Sequence, residues 1–249
     1  MKIFLRILIL FGTIILPEVA WTQGDCSSCT IYRGYISSDM QMWKREMAGL
    51  REACRTDPVA CTQFTLTEAM YGYIGFLISV NDKNAARPLV DTFEMEIEQL
   101  AAYSEYRAET EAFRLALLGY RMALNPARSV TLGPKALRQL EKAMEIGSSC
   151  PSVWIEKANS ESNMPAFAGG SEEKAAASFR EALRLFEEDG KMSECNWRYL
   201  NTIVLLGQLL EEMGDYIGAR DEYMRALTRE PDFRRVRNEM LPQVERNIK

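Results

Sequence analysis

Residues 200–233 read LNTIVLLGQLLEEMGDYIGARDEYMRALTREPDF, and this stretch decides the fold of the chain. In its first half, Ile203, Leu206 and Leu210 recur at intervals of three and four, which places their side chains on one face of a helix. Gly214 interrupts that pattern, because glycine supplies the backbone freedom that a helix end needs. The stretch therefore predicts a helix that stops at a tight turn.

The second half of the stretch predicts the partner helix of an antiparallel hairpin. Ala219, Tyr223 and Ala226 again lie four and three residues apart, so that the alanines permit close approach and the tyrosine fills the space between them. Gly207 lies on the facing side of the first helix. Pro231 has no donor N–H and disfavours helix in the residue before it, so the second helix is expected to end there.

This spacing resembles a tetratricopeptide repeat, a helical hairpin of about 34 residues that stacks on its neighbours. The segments that carry the wider likeness to exported tetratricopeptide-repeat proteins of the Bacteroidetes type are residues 71–75, 125–126, 132–135, 165–170 and 214–216. The resemblance implies an all-α fold, a tetratricopeptide-like right-handed helical-hairpin solenoid over residues 39–249. A helix is expected at its N-terminal start and a capping helix at its C-terminal end.

Several earlier boundaries follow from local patterns. Residues 23–38 are predicted to be an extended lead-in, and a helix is predicted to follow it from Asp39. Thr65 with Glu68 three residues later forms a capping-box pattern, which predicts a helix start. Two later connections are each about five residues longer than the standard repeat turn, and we expect both enlarged turns on one edge of the stack.

The first 22 residues have the pattern of a secretory signal peptide. Lys2 and Arg6 precede an apolar run of about ten residues, which is too short to span a membrane. Ala20 and Thr22 are small residues where a signal peptidase cleaves, so cleavage is predicted after Thr22. We therefore expect an exported chain, periplasmic or secreted, with no stable membrane span after cleavage. A retained anchor is the alternative.

Six cysteines lie beyond the predicted cleavage point, and an even count in an exported chain favours disulfides. We predict two bridges, and the candidates are Cys54 with Cys61 and Cys150 with Cys195. The first pair flanks a short proline-containing loop, and each member of the second precedes the first helix of a repeat. Cys26 and Cys29 have the spacing of a redox motif but lack a thioredoxin-like setting, which favours a structural bridge or free thiols.

Composition excludes several kinds of chemistry. The chain has 249 residues, a formal net charge of -5 and no histidine. Without histidine there is no Ser-His-Asp triad, no Cys-His pair and no histidine metal ligand. An acidic chain with scattered lysines has no basic footprint for nucleic acid. We predict a protein that is not an enzyme and has no metal or cofactor. The enzymatic alternative is a single glutamate acid, as in wall-cleaving transglycosylases, and no glutamate stands out in the sequence.

The resemblance also implies where a partner would bind. In tetratricopeptide-repeat proteins the first helices of the hairpins line a concave groove for peptides or partner proteins. By register, the predicted partner-binding residues are Phe113, Tyr120, Asn159, Asn201, Gln208 and Glu211, with Ala116, Ser152, Ile155 and Val204 beside them. The subgroup that grips acidic chaperone tails has lysines where Ile155 and Val204 stand here, so that class of partner is not expected.

Two functional hypotheses follow. The first is an exported, non-catalytic scaffold that binds an unidentified protein or peptide through the concave face. The second is a glycan or small-ligand binding protein of the cell envelope, in which Tyr120, Trp154 and Phe167 line a pocket, because aromatic faces suit sugar rings and other apolar ligand surfaces.

Overall fold

A computed structural model describes residues 28–188 and 194–248 of the chain. The predicted signal peptide and Cys26 lie outside these residues. Among the helices in the described ranges, none is both long enough and apolar enough to cross a membrane.

Residues 28–188 and 194–248 are mainly helical and contain no strand. The helices are α1 (Cys29–Ser37), α2 (Met40–Thr56), α3 (Ala60–Ser79), α4 (Lys83–Leu100), α5 (Arg107–Leu124), α6 (Ser129–Gly147), α7 (Pro151–Asn163), α8 (Glu172–Glu188), α9 (Trp197–Glu212), α10 (Tyr216–Arg229) and α11 (Leu241–Ile248). Four consecutive hairpins pair α3 with α4, α5 with α6, α7 with α8 and α9 with α10, and each hairpin packs on the next. The predicted all-α helical-hairpin solenoid is confirmed.

The hairpin of α9 and α10 packs as its sequence predicts. Gly207 faces Tyr223 so closely that an added Cβ would lie 2.4 Å from the tyrosine Cε1. Gly214 has a φ of 81°, the left-handed conformation that favours glycine at a helix end. The Asp215 carboxylate accepts from the N–H of Gly218 at 2.9 Å and so caps α10. The small residues therefore set the distance between the two helices.

Two predicted boundaries near the N-terminus are wrong. The lead-in is helical from Cys29 onward, because the Ser28 hydroxyl accepts from the N–H of Ile31 and caps α1. The capping box does not form either. Thr65 lies inside α3, and its hydroxyl donates to the carbonyl of Cys61 at 2.9 Å. The pattern at Thr65 was misleading because the helix continues through it, with the apolar side chains of Leu66 and Ala69 buried.

The two connections that were predicted to be enlarged differ from each other. After α5, the extra residues form a 3-10 turn over Pro126–Arg128 and the first turn of α6, so α6 begins at Ser129 rather than at Gly133. Leu132 in this extension of α6 is 7% exposed, so the added turn of helix buries an apolar side chain. After α7, by contrast, the chain forms a true enlarged turn around a 3-10 segment, Ala166–Ala168.

The C-terminal capping helix is confirmed. A π-helical turn, Val236–Met240, leads into α11, and Val244 is fully buried while most of the residues around it are exposed. Phe233, just before this segment, is 1% exposed, and its ring centroid lies 5.0 Å from that of Tyr35 in α1. The C-terminal cap therefore contacts the N-terminal helix directly.

The two ends of the stack meet. Trp43 in α2 packs edge-on against Trp197 in α9, with ring centroids 4.8 Å apart. Both rings cover Gly72 of α3, where an added Cβ would lie 2.5 Å from Trp197 and 2.6 Å from Trp43. The concave side is consequently filled by side chains from both ends of the chain, whereas an open solenoid would leave it exposed.

A disulfide between Cys29 and Cys195 joins α1 to the segment before α9. The predicted pairs are therefore wrong. Cys61 is disulfide-bonded, but Cys54 has a free thiol, and Cys150 is free and buried. Cys150 packs in a small apolar cluster with Ala112 of α5, Ala143 of α6 and Val153 of α7. The pairing of Cys150 with Cys195 failed because it considered only the stacking of neighbouring hairpins, whereas Cys195 bonds to Cys29 of α1.

Candidate functional site

The predicted groove residues of α5 and α7 face the interior of the stack. Phe113 is 1% exposed and packs edge-on against Phe93. The Tyr120 hydroxyl donates to the carbonyl of Tyr71 at 2.9 Å. The Asn159 amide donates to a neighbouring carboxylate at 3.2 Å. These three residues are brought together, but around a buried core rather than along an open groove.

The predicted groove residues of α9 are also engaged by the chain itself. Asn201 accepts from the Tyr35 hydroxyl of α1 at 3.0 Å, and Glu211 accepts from the Tyr223 hydroxyl of α10 at 2.6 Å. Gln208 is partly buried. Helix α1 thus occupies the position on α9 that the resemblance assigned to a partner.

Five side chains form a central polar cluster, defined as Glu68, Tyr71, Glu156, Asn159 and Arg198. The Arg198 guanidinium contacts the Glu68 carboxylate at 3.1 Å, and these side chains are only 6% and 11% exposed. The Tyr71 hydroxyl donates to Glu156 at 2.7 Å. The cluster therefore links α3 to both α7 and α9, at the place where the ends of the stack meet.

Of this cluster, the sequence patterns singled out only Asn159 as a site residue. Glu68 was assigned to a helix cap, and Glu156 and Arg198 were not singled out. One signal was present, because Ser152, Glu156 and Asn159 lie four and three residues apart and thus share a face of α7. That face was expected to be exposed, and the closure of the stack buries it.

Burial raises the pKa of Glu156 from 4.5 to about 7, although the Tyr71 hydrogen bond, the Arg198 charge and the Asn159 amide all favour the charged form. Burial also raises the pKa of Glu68, against the opposing charge of Arg198. Near neutral pH the cluster thus contains one carboxyl that exchanges its proton. Among the described residues, no group of three or more cysteine, aspartate or glutamate side chains is arranged to hold a metal ion.

The shift at Glu156 predicts a pH-dependent stability. Because the pKa is about 7 in the folded state and 4.5 in the unfolded state, the folded state binds more protons between these values. The contribution of Glu156 to the free energy of unfolding is fully present below pH 4.5 and is lost as the pH rises through 7. The difference is about 3 kcal/mol, at 1.36 kcal/mol per pKa unit. Glu156→Gln, which stays neutral, should remove this part of the slope in urea denaturation at pH 5, 6, 7 and 8.

The control for this prediction is Glu141→Gln, which removes an exposed carboxylate that forms no ion pair with a described residue. It should keep the pH dependence of the parent. If Glu156→Gln and the parent have parallel profiles from pH 5 to pH 8, Glu156 does not titrate in this range.

The enlarged turn after α7 presents an aromatic side chain to solvent. Phe167 is 93% exposed. The surrounding turn, residues 162–171, contains no charged side chain. The turn is fixed by its own backbone, since the N–H groups of Ala168 and Gly170 both donate to the carbonyl of Pro165, at 2.8 and 3.2 Å. Phe167 thus projects from a turn that backbone hydrogen bonds hold, and an exposed aromatic side chain can act as an anchor at a protein interface.

The predicted aromatic pocket does not form. Trp154, near the start of α7, donates its indole N–H to the carbonyl of Ser148 at 2.8 Å. Tyr120 is bonded inside the stack, and Phe167 follows the far end of α7. Phe167, which is 93% exposed, therefore does not line a pocket with the other two rings.

The free thiols have environments that suppress reactivity. Burial raises the pKa of Cys150 to about 11, and nearby Glu109 adds to the effect. Burial, assisted by Glu96, also raises the pKa of Cys54. Since the thiolate is the nucleophilic form, both sulfurs are largely protonated at neutral pH.

Comparisons with protein-family models, with curated proteins and with solved structures found no match. The likeness to tetratricopeptide repeats therefore remains a prediction from residue spacing, and the all-α solenoid is established from the helices themselves.

Proposed function

We propose that this chain is an exported, non-catalytic scaffold that binds a partner protein through the turn that carries Phe167. The observation that carries this proposal is the 93% exposure of Phe167 on a turn held by its own backbone hydrogen bonds. Aromatic side chains are enriched at protein interfaces, where a few anchors supply most of the binding energy. A rigid anchor also loses little conformational freedom on binding.

The proposed surface differs from the one that the sequence suggested. The concave positions are engaged within the chain, with Phe113 buried and Asn201 bonded to Tyr35. A partner at those positions would have to displace α1 and break the packing between the ends of the stack. A partner at the Phe167 turn displaces only water, which makes the turn the more favourable surface.

Export, to the periplasm or to the exterior, is part of the proposal. The bond between Cys29 and Cys195 fits a compartment in which disulfides persist. The sequence pattern of residues 1–22 supports the same destination.

Photo-crosslinking tests this function. A photoreactive amino acid at position 167 should yield a crosslinked partner in the native envelope, identified by mass spectrometry. The same residue at Met95, which is 61% exposed on α4, is the matched control and should yield none. With the purified partner, Phe167→Ser should weaken binding about 30-fold, which corresponds to the 2 kcal/mol typical of an interface anchor.

Phe167→Ser should leave folding unchanged, because a 93% exposed side chain has few contacts to lose. An unchanged thermal midpoint would confirm that any loss of binding comes from the surface. Equal crosslinking at positions 95 and 167, or none at 167, would rule out the proposed anchor.

A further inference from the structure

Two clefts of similar size flank α1, and they differ in charge. The first, of about 490 Å³, lies beside the disulfide, and the charged residues that line it are Arg33, Arg229, Glu194 and Glu230. Its two arginines are balanced by two glutamates. The second, of about 500 Å³, lies between α1 and the segment before α11, and the charged residues that line it are Arg33, Arg234, Arg237 and Asp232. Its three arginines face one aspartate.

The guanidinium groups of the second cleft are largely uncompensated. Arg33 donates through Nε to the carbonyl of Cys29 at 3.1 Å and forms no ion pair with any described residue. Arg234 likewise forms no ion pair within the described chain. Arg237 lies 3.4 Å from Asp232, and their side chains are 51% and 85% exposed, so solvent weakens that contact. Arg33 lines both clefts, and with it the second cleft has three arginines against one aspartate, a surplus of two positive charges in a chain whose formal net charge is -5. Without Arg33, Arg234 and Arg237 against Asp232 leave a surplus of one.

We propose that this second cleft binds a small anionic ligand that carries two or more carboxylate or phosphate groups. A guanidinium presents a fixed fork of N–H donors that matches either group, and its hydrogen bonds to an anion are stronger than neutral ones. Several such groups around one cleft favour a ligand with more than one negative charge. Ile36 and Met42 also line the cleft and can contact a short aliphatic body between the charged groups.

The cleft is distinct from the proposed protein-binding turn. Phe167 follows α7, whereas the cleft is formed by α1, the start of α2 and the segment after α10. The proposal therefore adds a ligand to the scaffold and does not depend on its partner.

Isothermal titration of the full mature chain tests the site with two probes, citrate for carboxylates and tripolyphosphate for phosphates. Sodium chloride keeps the ionic strength constant. At least one probe should bind, and the probe that binds more tightly identifies the anionic group. Arg33→Gln with Arg234→Gln should weaken that binding about tenfold or more, because both unpaired guanidiniums are removed while Asp232 keeps its partner.

The matched control is Arg128→Gln with Arg138→Gln, which makes the same change in net charge at two exposed arginines without ion pairs to described residues. It should bind the probe as the parent does. Equal weakening in both double variants, or no heat with either probe, would overturn the proposal. Vesicles that contain phosphatidylglycerol are a third probe, and binding to them alone would also overturn it, because it would indicate a membrane surface. Circular dichroism confirms that each variant is folded.

Discussion

Replacing Arg198 with methionine is expected to destabilise the protein by about 3–5 kcal/mol, the usual effect of removing one partner from a buried ion pair. Glu68 would remain nearly buried without the cation that lies 3.1 Å away, and it would have to take up a proton or admit water. Arg198 also lies over the Phe113 ring at 5.8 Å, a favourable contact that the variant loses. Urea denaturation at pH 7 measures the change.

A second variant separates charge from packing. In Glu68→Gln with Arg198→Met, two neutral side chains replace the Glu68–Arg198 ion pair. The glutamine oxygen can still accept from the indole N–H of Trp197, which lies 3.2 Å from the Glu68 carboxylate in the parent. Replacing a buried ion pair by neutral groups of similar volume is often close to neutral. The double variant should therefore recover most of the lost stability. If it is as unstable as Arg198→Met alone, the loss comes from packing rather than from the unpaired carboxylate.

Removing the disulfide should have a comparable effect. Cys29 and Cys195 are 166 residues apart, and the loop-entropy relation gives about 5 kcal/mol for a closed loop of this length. Cys29→Ser with Cys195→Ser should therefore lower the free energy of unfolding by several kcal/mol. Serine variants are preferable to a reductant, because Cys61 is also disulfide-bonded and a reductant would break both bonds.

Hydrogen exchange locates the effect of the lost bond. In the Cys29→Ser/Cys195→Ser variant, the backbone amides of α1 should exchange faster than those of α3. Helix α1 is short, and its link to α9 depends on the disulfide and a few side chains. Cys54→Ser is the control, since that thiol is free and only partly buried, and it should leave stability nearly unchanged. A Cys29→Ser/Cys195→Ser protein as stable as Cys54→Ser would contradict the role given to the bond.

The hairpins could be predicted because their information is local. Helix periodicity, the glycine at residue 214 and the proline at residue 231 each act within a few residues of their own position, and the observed ends of α9 and α10 follow them. The enlarged turn after α7 was predicted for the same reason. Local patterns failed at Thr65 and at Ser129, where burial extends the helix.

The site could not be predicted because it depends on contacts between distant parts of the chain. Glu68 and Arg198 are 130 residues apart, and nothing in either neighbourhood indicates the other. The resemblance to open repeats also led to the wrong surface, since it treats the first helices as the lining of a groove. In this chain α1 and α2 meet α9, and the expected groove becomes interior.

The meeting of α1 with α9 has a consequence for biosynthesis. A chain is made from its N-terminus, so α1 is among the first segments completed, yet its partner α9 follows more than 160 residues later. At 5–20 residues per second this delay is on the order of ten to thirty seconds. During that interval Tyr35, whose hydroxyl and ring contact Asn201 and Trp197 in the finished fold, has no α9 to pack against.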